Sequence, residues 1–298
     1  MACNESGPGA AASLCWLNGE IMPTARARIP VADHGLLYGD GVFEGIRFYR
    51  RRAFRLRAHL RPLRDSAVAI GLPLPLDQGA LEAAVADLVA AFGAPDGYLR
   101  LVVTRGEGAL GLDPASCRRG NVFIIAAQMA LVDADERHRG IRVVIAATRR
   151  LPVDGLDPRI KSLNYLNHIL ARMEAGHAGA QEAILLNARG HVCEGSADNV
   201  FIVRDGALLT PPLSDGALDG VTRRVILTLA AQAGMACREE SLAPYDLYTA
   251  DECFLCGTGA ELIPVRDIDG RALRQCPGRV YRDLQAQYRA LIQRETAA

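Results

Sequence analysis

Lysine is almost absent from this chain. Lys161 is the only one in 298 residues, and the other 33 of the 34 basic side chains are arginine. Soluble proteins ordinarily use lysine freely. A primary amine can lose its proton and form a Schiff base, whereas a guanidinium stays protonated and cannot. Covalent carbonyl chemistry on a lysine therefore has a single address here. Net charge is absent too: 34 acidic residues balance the 34 basic ones. With no basic block or acidic tail, nucleic acid and anionic membrane are not expected partners. Long apolar runs are missing, since the longest, residues 122–132, is far short of a membrane span and is interrupted by Gln128. Residues 1–12 lack the basic and apolar regions of a secretory signal, so a soluble, cytoplasmic protein is expected. The eight cysteines form no framework. Cys253 and Cys256 make a C-x-x-C within an apolar run, without a second cysteine or histidine pair to complete a zinc site. They are expected to be buried thiols, and no metal is expected.

The chain is long enough for one large or two medium domains, and its pattern predicts two α/β domains, at 1–128 and 141–298 with a charged linker at 129–140. The Asn18-Gly19 turn signal predicts a hairpin over 14–22, and a second is expected over 42–56, turning at Arg50, Arg51 and Arg52. Helices are expected over 57–70 and 78–92, the latter closed by Gly93, followed by strands at 98–104 and 121–128. The second half predicts strands at 141–147, 182–186, 199–203 and 252–256. Its helices are expected at 165–175, 221–233 and 279–294. The first of these carries Tyr165, Leu166, Ile169, Leu170 and Met173 at helical spacing and is expected to close at Gly176.

Lys161 falls in Arg159-Ile-Lys-Ser-Leu-Asn-Tyr165, just before that helix, which Ser162 or Asn164 can cap. Glu194 lies in Cys193-Glu-Gly-Ser-Ala-Asp-Asn199, where a carboxylate leaves a strand into a glycine turn. Asp219-Gly-Val-Thr-Arg223 opens a helix whose N–H groups and Thr222 hydroxyl suit an anion. Cys256-Gly-Thr-Gly-Ala-Glu261 supplies a second small-residue loop with a hydroxyl. Singly each is a commonplace turn or surface residue. Together they are what an aldehyde cofactor with a phosphate tail and a basic ring nitrogen requires, and pyridoxal 5'-phosphate fits.

The chain resembles the fold-type IV pyridoxal-phosphate enzymes, and within them the branched-chain amino acid aminotransferases. The strings carrying the resemblance run from Asp33-His-Gly-Leu-Leu-Tyr-Gly-Asp-Gly-Val-Phe-Glu-Gly-Ile-Arg47 through Tyr98-Leu-Arg100, Gly111-Leu-Asp-Pro114, Lys161-Ser-Leu-Asn-Tyr-Leu166, Glu194-Gly-Ser-Ala-Asp-Asn199 and Gly220-Val-Thr-Arg223 to Gly257-Thr-Gly-Ala-Glu261. The resemblance implies a two-domain fold like that of D-amino-acid aminotransferase. Lys161 would hold the cofactor as internal aldimine and shuttle the substrate Cα proton. Glu194 would pair with the ring nitrogen and Tyr165 with the ring hydroxyl oxygen, while Val221, Thr222 and Thr258 would bind the phosphate. Tyr38, Phe43, Arg47, Tyr98 and Arg100 would line the substrate side, and Gly259 and Ala260 would offer N–H groups to its carboxylate. The loop around 110–112 would reach a neighbouring subunit's site, which implies a homodimer or larger homo-oligomer. The implied reaction is transamination between an L-amino acid (leucine, isoleucine or valine by default) and a 2-oxo acid such as 2-oxoglutarate.

One departure stands out. Where the family's His-x-x-Arg-Leu string places an arginine on the cofactor phosphate, this chain has His59-Leu-Arg-Pro-Leu63. Arg61 or Arg64 would have to substitute, or retention of cofactor is weakened. The alternatives on the same fold are an aminodeoxychorismate lyase and a D-amino acid or (R)-amine transaminase. A non-catalytic homologue is a further alternative, against which Lys161, Glu194 and Thr222 argue.

Overall fold

The computed structural model describes residues 13–128 and 134–297. The described residues fall into two compact units, one up to residue 128 with Thr296 and Ala297, the other from 134 to 295. The expectations for residues 1–12 and for 129–133 of the linker lie outside the described residues, while Ala134–Arg139, also expected as linker, is helical.

In the first unit, β1 (Leu14–Leu17) and β2 (Glu20–Pro23) form the hairpin expected at Asn18-Gly19, whose φ angles of +50° and +110° are left-handed and suit Asn and Gly. They are followed by α1 (His34–Tyr38), β3 (Gly41–Tyr49), β4 (Arg52–Ala53), α2 (Leu56–Ala69), α3 (Gln78–Phe92), β5 (Gly97–Thr104) and β6 (Asn121–Ala127). The strands make a six-stranded antiparallel sheet in the order β2-β1-β6-β5-β3-β4. Alternation along β3 and β5 sorts their side chains onto two faces. Val42, Ile46, Phe48, Leu99, Leu101 and Val103 enter one core with Leu60 and Leu63 of α2 and Leu81, Val85 and Leu88 of α3. Phe43, Arg47, Tyr98 and Arg100 fall on the other face. α3 starts where the Asp77 carboxylate accepts the Ala80 N–H at 2.8 Å, and ends at Gly93 with φ +78°.

The second unit contains α4 (Ala134–Arg139), β7 (Ile141–Ile145), α5 (Leu166–His177), β8 (Glu182–Leu186), β9 (Val192–Gly195), β10 (Asn199–Arg204), β11 (Ala207–Thr210), α6 (Val221–Gln232), β12 (Cys237–Glu239), α7 (Pro244–Thr249), β13 (Glu252–Gly257), β14 (Glu261–Ile268), β15 (Arg271–Ala272) and α8 (Arg279–Glu295). Its nine-stranded mixed sheet runs β12-β11-β10-β13-β14-β7-β8-β9, with β15 on β14. β7 and β8 are parallel and joined through α5, a βαβ unit. Cys253 and Cys256 are buried in β13 without a disulfide, and burial pushes both thiols up. Among the described residues no helix is long and apolar enough to cross a membrane.

α5 corrects two expectations. It runs through Gly176 to His177 rather than closing there, and neither Ser162 nor Asn164 caps it, the N-cap being Tyr165 without a side-chain bond. Its apolar stripe also faces the other way. Leu166, Ile169, Leu170 and Met173 are exposed, between 45% and 66%, whereas His168, Ala171 and Ala175 are buried. The small side chains explain the orientation: Ala171 and Ala175 allow close approach to Ala183 and Leu185 of β8, which larger residues would block.

Candidate active site

Lys161 stands in the loop that leads into α5. Tight backbone turns at Asp157–Ile160, Ile160–Ser162 and Leu163–Tyr165 bracket it, so its main chain is fixed before the helix begins. Its Nζ lies 3.5 Å from the Tyr165 hydroxyl. The Tyr165 ring stacks on the His168 ring, with centroids 4.3 Å apart and planes 13° apart.

His168 belongs to a buried polar chain. Its Nδ1 is 2.7 Å from the Ser196 carbonyl oxygen and its Nε2 is 2.8 Å from Nη1 of Arg150. A guanidinium only donates. Nε2 must therefore accept, and the proton sits on Nδ1, which donates to Ser196. Burial first, then the charge of Arg150, pushes the His168 pKa down to about 4. The other guanidinium nitrogens of Arg150 are also engaged: Nη2 is 3.0 Å from Oε1 of Glu194, and Nε donates to the Gly216 carbonyl at 3.2 Å.

Glu194, the third residue of β9, is almost completely buried. Its Oε2 accepts the Leu218 N–H at 2.8 Å and the Asn199 amide at 3.4 Å. Burial pushes the carboxyl up, against Arg150, the Leu218 N–H and Lys161, which favour the ionised form. A further cation placed beside it would tip the carboxyl towards the ionised form. β9 and Asn199 at the start of β10 thus aim one carboxylate and one amide at the same place.

α6 opens without a capping side chain, because Gly220 is its N-cap. A Cβ on Gly220 would come 2.3 Å from the Asn199 Oδ1, so only glycine lets the helix start this close to Asn199. Val221 and Thr222 follow, both buried. Thr258, Gly259 and Ala260 form the turn between β13 and β14. Close approach shapes this corner as well: a Cβ on Gly257 would lie 2.1 Å from the Asp198 Oδ1. A cavity of about 350 Å³ adjoins this corner, lined by Tyr165, His168, Ser196, Asp198 and Ala260 and, on its far side, by Ile141, Arg172 and Glu182, but not by Lys161, Glu194, Thr222 or Thr258. Burial, then Glu182 and Glu194, pushes the Asp198 carboxyl up to about 7.

The substrate-side candidates all belong to the first unit. Phe43, Gly45 and Arg47 of β3 pair in register with Val102, Arg100 and Tyr98 of β5, which puts them on the sheet face away from α2 and α3. The Arg100 guanidinium lies 4.5 Å from the Phe43 ring centroid and 5.7 Å from that of Tyr98. A Cβ at Gly45 would sit 2.1 Å from the Tyr98 hydroxyl, so the missing side chain is what admits the phenol. Tyr38 ends α1, and its hydroxyl accepts the Gly111 N–H at 3.0 Å; the neighbouring Leu110 and Leu112 are 85% and 81% exposed.

Pro62 is accommodated inside α2 without ending it. Arg61 is exposed beside Asp65, 3.9 Å away, and Arg64 donates to Gln78 at 3.1 Å. Neither lies on the buried stripe of the helix formed by His59, Leu60, Leu63, Ser66 and Ala67.

Sequence reasoning missed Arg150 and His168. Arg150 is one of 33 arginines with no local motif to mark it, and its partners are 18 and 44 positions further along the chain. His168 sits in a helix whose apolar pattern points to the opposite face. A weak signal exists in its spacing, three residues after Tyr165, which puts the two rings on one helical surface.

An amine beside a phenol, a buried carboxylate held by a guanidinium and an uncapped helix N-terminus match the donor set of an aldehyde cofactor with a ring nitrogen and a phosphate. The Amino-transferase class IV family matches residues 41–268, more than half of the chain. The chain belongs to that family. A relative of this class IV aminotransferase in Methanocaldococcus jannaschii is 47% identical over 258 residues, spanning 87% of this chain and 88% of its own. The solved branched-chain amino acid aminotransferase of Escherichia coli superposes with a TM-score of 0.91 at 34% identity, covering 95% of both chains. That of Thermobaculum terrenum, solved in its PLP-bound holo-form, gives 0.84 at 31%, again covering 95% of both. The class IV fold is shared throughout.

Proposed function

We propose that this class IV aminotransferase moves an amino group from a branched-chain L-amino acid (leucine, isoleucine or valine) to a 2-oxo acid such as 2-oxoglutarate, using pyridoxal 5'-phosphate. The observation that carries the reading is Lys161, the chain's one lysine, held 3.5 Å from the Tyr165 hydroxyl in the unit that also buries Glu194 against Arg150. The branched-chain enzymes among its structural neighbours, one solved in its PLP-bound form, support the cofactor and the substrate class.

When bound, the cofactor supplies an electron sink for charge that develops at the substrate Cα. The protein's own groups do the rest. Lys161 would hold the cofactor through its amine, and the same amine would carry the proton to and from the substrate Cα. Tyr165 donates to the ring oxygen, and Glu194 keeps the ring nitrogen protonated. The N–H groups of Val221 and Thr222, with the hydroxyls of Thr222 and Thr258, hold the phosphate. Gly259 and Ala260 offer N–H groups to the substrate carboxylate. Tyr38, Phe43, Arg47, Tyr98 and Arg100 surround the apolar side chain and exclude water. The exposed Leu110 and Leu112 fit a loop that a second copy of the chain covers, so the working form is a homodimer at least, in the cytoplasm. With Pro62 in place of the family's phosphate arginine, cofactor is held more weakly than the family norm. The missing charge-assisted bond is worth about 1.5–3 kcal/mol, which corresponds to roughly ten- to a hundred-fold in affinity.

The test is glutamate formation from L-leucine and 2-oxoglutarate, with parallel double-reciprocal lines as the mark of an amino group parked on the enzyme between two half-reactions. Release of pyruvate from aminodeoxychorismate without any acceptor, and no glutamate from leucine, would replace this reading with the lyase.

A further inference from the structure

We propose that His168 is a positioning residue of the cofactor site: its neutral ring holds the Arg150 guanidinium on Glu194 through Nε2 and supports the Tyr165 ring with its face. The inference rests on the reading of Lys161, Tyr165 and Glu194 as the cofactor site.

The geometry leaves little freedom. The Ser196 carbonyl, 2.7 Å from Nδ1, fixes the proton on that nitrogen and leaves Nε2 as an acceptor at the end of a rigid ring. Arg150 Nη1, 2.8 Å away, takes that acceptor. With Nη1 held by His168 and Nε by the Gly216 carbonyl, the guanidinium plane has one orientation, and that orientation lays Nη2 3.0 Å from Glu194 Oε1. The opposite service is done by the ring face, which stacks on Tyr165 and sets the phenol 3.5 Å from the Lys161 amine. One side chain therefore braces the partner of the ring nitrogen and the partner of the ring oxygen. Its neutrality is enforced by burial and by two cations, Arg150 from the segment after β7 and Lys161 from the loop before α5; the carboxylates facing it, Glu182 and Asp198, line the adjoining cavity with Arg172 and act in the opposite sense. A charged imidazolium would lose its acceptor and repel Arg150.

Without that acceptor the guanidinium keeps a buried donor unpaired and turns away from Glu194. The carboxyl, already pushed up by burial, then keeps its proton and no longer stabilises a protonated ring nitrogen.

The experiment loads wild-type, His168→Phe and His168→Gln proteins with pyridoxal 5'-phosphate and follows the visible band. Affinity comes from titrating apo-protein, and the pH at which the band of loaded protein changes is read in parallel. That pH reports proton binding at the Lys161 nitrogen, which strengthens when the ring nitrogen loses the proton that Glu194 would hold in place. Phenylalanine keeps a flat ring for Tyr165 but has no acceptor. Glutamine keeps an oxygen acceptor for Arg150 and an amide donor for Ser196. His168→Phe is expected to weaken cofactor binding about tenfold, the scale of a lost hydrogen bond to a charged group, and to move the band transition to higher pH. His168→Gln, which keeps the acceptor but not the ring face, is expected to return the band transition to the wild-type pH and to recover part of the lost affinity. The melting temperatures of the apo-proteins show that each variant is folded. Unchanged affinity and an unchanged transition in His168→Phe would overturn the proposal, as would equal losses in both variants. If wild-type protein itself takes up no cofactor, the reading of the site falls with it, which separates the two failures.

Discussion

At the scale of residues, Lys161 carries the account. Lys161→Arg keeps the charge but cannot bond covalently to an aldehyde. The variant is expected to show no borohydride-sensitive visible band with pyridoxal 5'-phosphate and to lose at least about 10²–10⁴ in kcat. Lys161 and Glu194 stand out in the sequence, one by scarcity and one by its glycine turn, and the structure buries Glu194 and places Lys161 beside Tyr165. Arg150 and His168 do not stand out, since a guanidinium bridging positions 168 and 194 is a property of the folded chain alone. Their burial has a consequence for stability. His168 has a folded pKa depressed from 6.5 to about 4, so the unfolded chain binds more protons between those values and stability rises with pH across that window. Asp198 works in the opposite sense: raised from 3.8 to about 7, it favours the fold at low pH and loses that contribution as pH rises. In the apo-protein the two oppose each other. Asp198→Asn removes one of the two raised carboxyls that mask the histidine, Glu194 being the other, so stability is expected to fall more steeply on acidification from pH 6.5 to 4.5 than in the wild type. Urea titrations at pH 4.5, 5.5 and 6.5 measure it, and a flat profile in that variant would contradict the assignment.

At the scale of elements, segments marked by a turn signal, a cap or a clean period follow from the sequence, whereas β9 and the eight-residue β14 do not. The Asn18-Gly19 hairpin, α3 with its Asp77 and Gly93 ends, and β5 follow from local rules alone. β9 is only Val192–Gly195, too short for an alternating pattern, yet it is the strand that delivers Glu194. The second strand of the β3–β4 hairpin shrinks to two residues, because α2 begins at Leu56. On α5 the sequence marks an apolar face, but tight packing on β8 selects the alanine face instead. Gly45 makes the corresponding point for the sheet. Gly45→Ala places a methyl 2.1 Å from the Tyr98 hydroxyl, which must move. The expected result is a stability loss of about 1–3 kcal/mol from overpacking with a raised KM for leucine; an unchanged KM would show that Tyr98 does not line the substrate side. α2 poses its question through Pro62. Extensive dialysis without added cofactor is expected to strip most of it from the protein, and quantitative retention would contradict weakened binding.

At the scale of the whole molecule, composition allows one large or two medium domains and the pattern along the chain predicts two; the described residues fall into two compact units, each built on its own sheet. What composition leaves unread is how many chains make one working enzyme. Leu110 and Leu112, 85% and 81% exposed on a loop fastened through Gly111 to Tyr38, are the residues to perturb. Leu110→Asp with Leu112→Asp is expected to shift the light-scattering mass toward the monomer and to lower transamination, while the chain keeps its helical signal. The central claim concerns what the assembled enzyme accepts. Protein loaded with pyridoxal 5'-phosphate is mixed separately with L-leucine, D-alanine and (R)-1-phenylethylamine, and the visible band is followed through a single turnover. The account predicts conversion of the band by L-leucine alone. Conversion by D-alanine or the (R)-amine, with none by L-leucine, would contradict it.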